Sequence, residues 1–162
     1  MRSFAVCELE RHSWNELRGA SGSAERIPDA LRELLEAPSP ETAQEAYWRL
    51  ENYVVIQGQL FESAEYVVPV LLAALLDDSP QYVRITVLEL LFQIASGEAH
   101  QEEVDAGNCS LGDKCRARMS EGLWLLYREW AFGAREAAQE VIQAIETDPY
   151  RLEAFAQCHI TR

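Results

Sequence analysis

The side chains with the clearest capacity for recognition lie in an acidic segment, residues 97–112. The segment contains no basic residue, and its candidate partner-binding carboxylates are Glu98, Glu102, Glu103 and Asp105. Like charges crowded into one loop repel one another, so they cost stability unless a positive group meets them. Two interpretations follow: a solvated loop, or an anionic projection that enters a basic cleft such as the active site of a nuclease.

Residue patterns typical of catalysis or metal binding are sparse. The chain has no glycine-rich phosphate loop, no HExxH motif and no GxSxG motif. It has four cysteines and three histidines, and the spacing of His100, Cys109 and Cys115 matches no common structural zinc site. We therefore predict no enzyme activity, no metal and no cofactor. The less favoured alternative is a small metal-dependent enzyme that uses His100 and nearby carboxylates.

Charge and hydropathy argue against two classes of partner. The 14 basic and 27 acidic residues give a formal net charge of −13, whereas binding to a nucleic-acid backbone needs a cationic surface. The longest apolar run, residues 66–76, is too short for a membrane span, which needs about 20 residues. We expect neither nucleic acid nor membrane as a partner. Because no secretory signal and no CxxC motif are visible, we expect a cytoplasmic location.

The elements that carry these residues repeat along the chain. Ser39-Pro40 recurs as Ser79-Pro80, and apolar residues follow each pair at matching helical spacings. The matched positions are Ala43 with Val83, Tyr47 with Val87, Leu50 with Leu90, and Val54 with Ile94. Serine is a good N-cap and proline is tolerated in the first helical position, so helices should begin near Pro40 and Pro80.

Another helical segment precedes each of these helices. Leucine-rich stretches accompany Ile27-Pro28 and Val68-Pro69, which are again about one repeat apart. With Ser63 as the N-cap, Pro69 falls inside its helix, where a missing hydrogen bond should kink the axis. The chain should therefore be built from pairs of helices, and no segment has the pattern of a β-strand.

A third, looser pair completes the predicted organisation. Its first helix should run from about residue 113 to 130, with Gly122 as a point of bending. Short helices near Trp14 and after Asp148-Pro149 should cover the two ends, since terminal units of a stacked array need altered outer faces. We predict one domain, residues 1–162, with repeat units over about 27–57, 63–96 and 113–147.

Paired helices of about 40 residues, with proline in or before the first helix and Val83-Arg84 early in the second, resemble HEAT repeats. Further residues are similar to a group of bacterial HEAT-like proteins: Trp48, Gln57-Gly58, Phe61, Ala64, Val68-Pro69 and Ile94-Ala95-Ser96-Gly97. Some members of that group look like immunity partners of secreted toxins. The resemblance implies an all-α fold, a short HEAT-like α-solenoid of about three helical hairpins with capping helices. The junction at residues 130–133 departs from the usual Asp-Pro start of a second helix.

The resemblance also assigns a structural role to two arginines. In HEAT-like arrays, an arginine early in the second helix commonly pairs with an acidic residue that ends the preceding first helix. Arg84 and Arg135 occupy this place in successive units, so we expect Arg84 to bind Asp77 or Asp78. Direct contact with a ligand is the alternative role for the arginines.

Gln57-Gly58 and several aromatic residues have two interpretations each. Gly58 should end the second helix in the left-handed conformation, and Gln57 should either cap that helix or face a partner. Trp48 and Tyr82 lie one step off the apolar stripes, where they should either anchor a partner or fill gaps between helices. Glu51 is a candidate for contact with a partner, and with Glu41, Glu45 and Asn52 it could also line a groove as acid and base; the simpler expectation is a solvated acidic helix face.

The sequence thus predicts a non-catalytic protein-binding module. Its most specific form is an immunity protein whose acidic surface binds and neutralises a cationic toxin, for example a nuclease. Electrostatic attraction would speed the encounter, and aromatic anchors would then hold the partner. The alternative is a generic HEAT-like scaffold or adaptor without a toxin partner.

Overall fold

The predicted all-α class is confirmed, because helices form most of residues 3–160, the part of the chain that the computed structural model describes. In chain order the helices are α1 (Phe4–Glu10), α2 (Ile27–Leu35), α3 (Pro40–Val54), α4 (Ser63–Ala74), α5 (Gln81–Ala95), α6 (Gln101–Asp105), α7 (Leu111–Ser120), α8 (Leu123–Phe132), α9 (Arg135–Ile145) and α10 (Pro149–Ile160). Residues 1–2 and 161–162, the ends of the predicted domain, lie outside the described residues.

Three helices stand side by side in one row, since α3 packs on α5 and α5 packs on α9. The helix that precedes each of them packs against it: α2 against α3, α4 against α5, and α8 against α9. Both α1 and α7 lie against α4. The residues of the two predicted apolar stripes are all buried. Each fully buried leucine, such as Leu50 or Leu90, contributes roughly 1.5–3 kcal/mol relative to an exposed one.

The two Ser-Pro copies start their helices differently. Ser39 and Thr42 form a reciprocal cap, in which the Ser39 Oγ accepts from the Thr42 N–H at 3.3 Å and the Thr42 Oγ1 accepts from the Ser39 N–H at 3.1 Å. In the second copy Pro80 is the N-cap and no side chain caps α5. The position equivalent to Thr42 is Tyr82, which cannot complete the same cap. The predicted starts are therefore confirmed, but only the first serine acts as a cap.

The predicted proline inside α4 is confirmed at Pro69, but the predicted cap is wrong. The N-cap of α4 is Glu62, and Ser63 is the first helical residue. Ser63 is fully buried, and its Oγ has no hydrogen-bond partner within residues 3–160.

The third pair differs from the prediction because residues 113–130 form two helices, α7 and α8, instead of one. The chain breaks at Gly122, where a Cβ atom would lie 2.7 Å from the Leu72 side chain of α4. A side chain at this position would displace Leu72, and α7 and α8 are separate helices on either side of Gly122, so Gly122 marks a change of direction and not a bend within one helix. The α10 start is confirmed, with the Asp148 Oδ1 accepting from the Tyr150 N–H at 3.1 Å.

The expectation of no strands is wrong, although the strands are short. They are β1 (Arg18–Gly19), β2 (Gly22–Ser23), β3 (Val55–Ile56), β4 (Gln59–Leu60) and β5 (Glu98–Ala99). β1 and β2 pair with each other, and β4 pairs with β3 antiparallel and with β5 parallel. Two-residue strands carry no alternating pattern long enough to recognise in a sequence.

Gly58 has the predicted left-handed backbone, with φ of 78°, but it does not end a helix. It follows Gln57, which also has a positive φ of 50°, at the tip of the β3–β4 hairpin. Two successive residues with positive φ match the twist of a tight hairpin. Helix α3 has already ended at Val54, so the role of Gly58 is to turn one strand into the next.

Candidate functional site

The acidic segment is an ordered part of the fold. Its strand β5 lies on β4, with the Glu98 N–H donating to the Gly58 carbonyl and the His100 N–H to the Leu60 carbonyl, both at 2.9 Å. Helix α6 follows, and its first turn is capped by the His100 Nδ1, which accepts from the Glu102 N–H at 3.1 Å. The segment is therefore held against the β3–β4 hairpin.

Glu103 is buried, which removes it from the predicted partner surface. Its side chain is 1% exposed and accepts from Arg18 at 2.8 and 3.1 Å, from the Glu62 N–H at 3.1 Å, and from the Asn108 Nδ2 at 3.2 Å. Burial raises the pKa of Glu103, but these hydrogen bonds outweigh burial and hold the pKa below its ordinary value. Glu103 thus ties α6 to β1 and to the start of α4.

The other acidic residues of the segment remain outside. Glu98 accepts from the Arg116 Nη2 at 2.9 Å, and Asp105 accepts from the Gln101 side chain at 2.8 Å. Glu102 is exposed. Because Glu103, the buried carboxylate of the segment, binds groups of the same chain, the segment is not the free anionic projection that was one of the two interpretations of the sequence.

Arg84 has the expected structural role but a different partner. Its guanidinium pairs with Glu129 of α8, with the Nε atom 3.2 Å from Oε2, and donates to the carbonyls of Asp77 and Leu75 at 3.2 and 3.1 Å. Asp77 instead accepts from the Phe4 N–H at the start of α1, at 2.9 Å. The predicted pairing with the Asp77 or Asp78 carboxylate is therefore wrong, because the Arg84 guanidinium is paired with the Glu129 carboxylate of α8.

Arg135 does not repeat the arrangement found at Arg84. Its Nη2 donates to the His159 carbonyl in α10 at 3.3 Å. The two arginines hold equivalent places in α5 and α9, but different elements lie next to them. The predicted ladder of equivalent ion pairs is therefore absent at these two positions.

The remaining predicted partner residues separate into distinct places. Trp48 lies on α3 and is 55% exposed. Tyr82 is half-buried at the start of α5 and donates to the Ala37 carbonyl at 2.8 Å, so it fills the gap between neighbouring helices. Gln57 is exposed at the hairpin tip, beside the acidic segment and at the far end of α3 from its capped start.

The row of α3, α5 and α9 forms a groove that the sequence did not reveal. Two adjoining hollows of about 370 and 430 Å³ lie along it and share Glu89 and Glu140 in their lining. The first is also lined by Tyr47, Trp48 and Phe92. We use "the groove" for these hollows, with Tyr47, Trp48, Glu89 and Glu140 as its defining residues; Arg135 lines the hollow between α5 and α9.

Glu89 and Glu140, the carboxylates of the groove, repel each other, and Glu51 is a third carboxylate near Tyr47. Burial raises the pKa of Tyr47 to about 12, helped by the negative charges of Glu51 and Glu89. Burial also raises the pKa of Glu89, with a further contribution from the Glu140 charge, and burial alone raises that of Glu51. Within residues 3–160 no hydrogen bond or ion pair engages these three carboxylates.

A faint signal for the groove is present in the sequence. Glu89 and Glu140 stand 51 residues apart, which is the offset that relates α5 to α9. Two acidic residues at equivalent positions of neighbouring parallel units lie side by side when those units stack. The apolar stripes of α5 and α9 reveal this register, but exposed acidic residues are common enough to hide it.

A second cluster near the C-terminus contains the same residue types as the groove, a tryptophan, a tyrosine and a carboxylate, together with an arginine. We call it the C-terminal cluster, and its residues are Trp124, Tyr127, Glu146 and Arg151. The Arg151 guanidinium lies 5.7 Å from the Trp124 ring centroid and donates to Glu146 at 2.8 and 2.9 Å. The Tyr127 hydroxyl donates to the same carboxylate at 2.7 Å. The bonds from Arg151 dominate, and they lower the pKa of Glu146 to about 2.

Other site chemistry is limited in the described structure. His100 stacks on Phe61 with ring centroids 4.7 Å apart, and within residues 3–160 no three His, Cys, Asp or Glu side chains are grouped to hold a metal ion. No helix of this described range has the length and apolar character needed to cross a membrane.

Comparisons with protein-family models, curated proteins and solved structures found no match to the chain.

Proposed function

We propose that this chain is a non-catalytic protein-binding module with a short HEAT-like arrangement. The row of α3, α5 and α9, each backed by the helix before it, supports that arrangement. In such a stack, each unit buries its apolar stripe on its neighbours, and one face of the row stays available for recognition. The groove lies on that row.

The specific form of the proposal is an immunity protein that binds and neutralises a cationic protein toxin. The observation that carries it is the pair of groove carboxylates, Glu89 and Glu140, next to the exposed Trp48. Arg135 lines one hollow of the groove, but within residues 3–160 no ion pair or hydrogen bond engages either carboxylate. A basic partner would supply the missing positive charge. The exposed indole would add apolar contact area, which is typical of residues that dominate binding energy.

Electrostatic attraction would act before contact. With a net charge of −13, the chain attracts a basic protein over roughly the Debye length, about 8 Å at physiological salt. Attraction of this kind raises association rates above ~10⁷ M⁻¹ s⁻¹ and makes them fall steeply with salt. We place the protein in the cytoplasm, which suits Cys7, Cys109, Cys115 and Cys158 as free thiols.

The test combines capture with a growth assay. The immobilised chain is exposed to a lysate of its source organism, and retained proteins are identified by mass spectrometry. Each is then expressed in a bacterial host, alone and together with the chain. We expect a protein with excess Lys and Arg whose expression stops growth and whose effect co-expression relieves.

Two results would contradict the proposal. An association rate that does not change between about 20 and 150 mM salt would remove electrostatic attraction from the mechanism. A retained partner that leaves host growth unchanged would favour a scaffold or adaptor without a toxin partner.

A further inference from the structure

We propose that the groove binds an extended, arginine-bearing segment of the partner, with one guanidinium stacked on the Trp48 indole and hydrogen-bonded by the neighbouring carboxylates. This inference rests on the proposed function and specifies where the basic partner binds and through which side chain. It rests on the shape of the groove, on Trp48, and on a matching arrangement elsewhere in the molecule.

The dimensions of the groove suit an extended chain. It crosses three adjacent helices, and neighbouring helix axes lie about 8–10 Å apart, so its length is about 20 Å. An extended segment advances about 3.3 Å per residue, so five or six residues would cross it. Alternate side chains of such a segment point to one side, which would bring two or three of them against Trp48, Glu89 and Glu140.

Trp48 selects arginine over lysine. The indole makes an edge contact with Tyr47, with ring centroids 5.3 Å apart, and is 55% exposed, so about half of its surface is open. A planar guanidinium stacks on an aromatic face and still presents its donors to carboxylates, whereas an ammonium is a compact and strongly hydrated charge. Glu89 lines the same hollow and provides such a carboxylate.

The molecule already contains this arrangement in a filled form. In the C-terminal cluster, Arg151 covers Trp124 while its guanidinium is bonded in a fork to Glu146. The groove offers a tryptophan, a neighbouring tyrosine and carboxylates, but within residues 3–160 no arginine covers Trp48. Arg135 lines the other hollow of the groove and donates to the His159 carbonyl, so the guanidinium missing over Trp48 is the one that a basic partner would supply.

The experiment measures binding of fluorescently labelled nine-residue peptides, all arginine or all lysine, to the full chain at about 150 mM salt by anisotropy. The test variants are Glu89→Gln/Glu140→Gln and Trp48→Ala. The matched controls are Glu16→Gln/Glu25→Gln, which removes two exposed charges outside the groove, and Trp124→Ala, which removes another exposed indole. Circular dichroism melts establish that each variant is folded.

We expect the arginine peptide to bind more tightly than the lysine peptide. Glu89→Gln/Glu140→Gln should weaken arginine-peptide binding by about tenfold, and Glu16→Gln/Glu25→Gln by less than about twofold. Trp48→Ala should weaken the arginine peptide by about threefold and leave the lysine peptide nearly unchanged, so the preference disappears. Trp124→Ala should keep that preference.

Three outcomes would overturn the inference. They are equal losses in the two double-glutamine variants, no preference of the wild type for arginine, and a preference that survives Trp48→Ala. Each would remove the groove as an arginine site while leaving the general binding of a basic protein intact. The proposed function fails separately, when the capture experiment retains no basic protein.

Discussion

The C-terminal cluster and the groove each place a tyrosine beside a tryptophan and at least one carboxylate, and they differ in whether an arginine is bonded to that carboxylate. Arg151 neutralises Glu146 and lowers the pKa of that carboxyl to about 2, with the hydrogen bonds from Arg151 as the main cause. In the groove Arg135 lines the same hollow as Glu89, but within the described residues no cation pairs with Glu89, and burial raises the pKa of that carboxyl. The same residue types thus produce opposite shifts.

This difference distinguishes carboxylates that stabilise the fold from carboxylates that remain available to bind a partner. A carboxylate with a guanidinium partner in the same chain is part of the internal packing. Carboxylates that crowd one another without a partner cost folding free energy, and binding a cation recovers it. Four measurements test this division, from the largest expected effect to the smallest.

Arg84→Met should have the largest effect, because Arg84 is 17% exposed, against 34% for Arg151 of the C-terminal cluster. Glu129 is 2% exposed and would keep the more distant Arg128, at 3.5 Å, so the loss of its main partner should cost about 3 kcal/mol. Guanidinium denaturation measures the free energy of unfolding. The control is Arg49→Met, whose partner Glu33 is half exposed, with an expected loss under about 1 kcal/mol. Equal losses would show that burial does not distinguish the two pairs.

Glu103→Gln should destabilise the fold by about 2 kcal/mol. The substitution removes the charge that binds Arg18 and weakens the bonds from the Glu62 N–H and Asn108. The neighbouring Glu102→Gln, on an exposed side chain, should change the free energy of unfolding by less than about 0.5 kcal/mol. If Glu102 is the more sensitive position, α6 does not pack with Glu103 inward.

The two regions should respond to pH with opposite signs. Glu146 has a lowered pKa in the folded protein, so its stabilisation is complete above about pH 4.5 and is lost as the pH falls towards 2. Glu89 has a raised pKa, so its destabilisation is present at neutral pH and disappears as the pH falls through that raised pKa to about 4.5.

Thermal midpoints measured between pH 2.5 and 7.5 would show both responses. Arg151→Met should flatten the loss of stability below pH 4.5, and Glu89→Gln should reduce the gain that the wild type shows on mild acidification. Identical pH profiles for the wild type and Glu89→Gln would mean that Glu89 is not under charge repulsion in the folded protein.

The smallest effect is expected for Glu89→Gln/Glu140→Gln at neutral pH and low salt. Removing two like charges that face each other should stabilise the protein slightly, by about 0.5 kcal/mol or less, because both side chains are largely exposed. The gain should fade as salt rises. Urea midpoints at low and high salt measure it, and a loss of stability would show that these carboxylates have structural partners.

Much of the helical framework could be predicted from the residues. The matched stripes of α3 and α5, the start of α3 at Pro40 and the proline inside α4 all follow from spacing and from local backbone preference. These features depend on residues a few positions apart. The short strands could not be predicted, because two residues of strand leave no periodic pattern and depend on a hairpin partner.

The site was harder to predict for the same reason. The acidic segment attracted attention because its charges are adjacent in sequence, yet Glu103 is buried by Arg18, which lies 85 residues away. Arg84 was expected to pair nearby and instead meets Glu129, 45 residues further along the chain. Glu89 and Glu140 form part of the groove only because α5 and α9 are neighbours.

The sequence alone determined the helical class, the repeating apolar stripes and the excess of negative charge, because each depends on composition or on contacts within about two turns of helix. The tertiary structure decided which of those charges are neutralised. An ion pair depends on which elements lie within about 4 Å of each other, and that distance is set by how the helices stack. Glu103 and Glu129 therefore became internal, while Glu51, Glu89 and Glu140 stayed open to a partner.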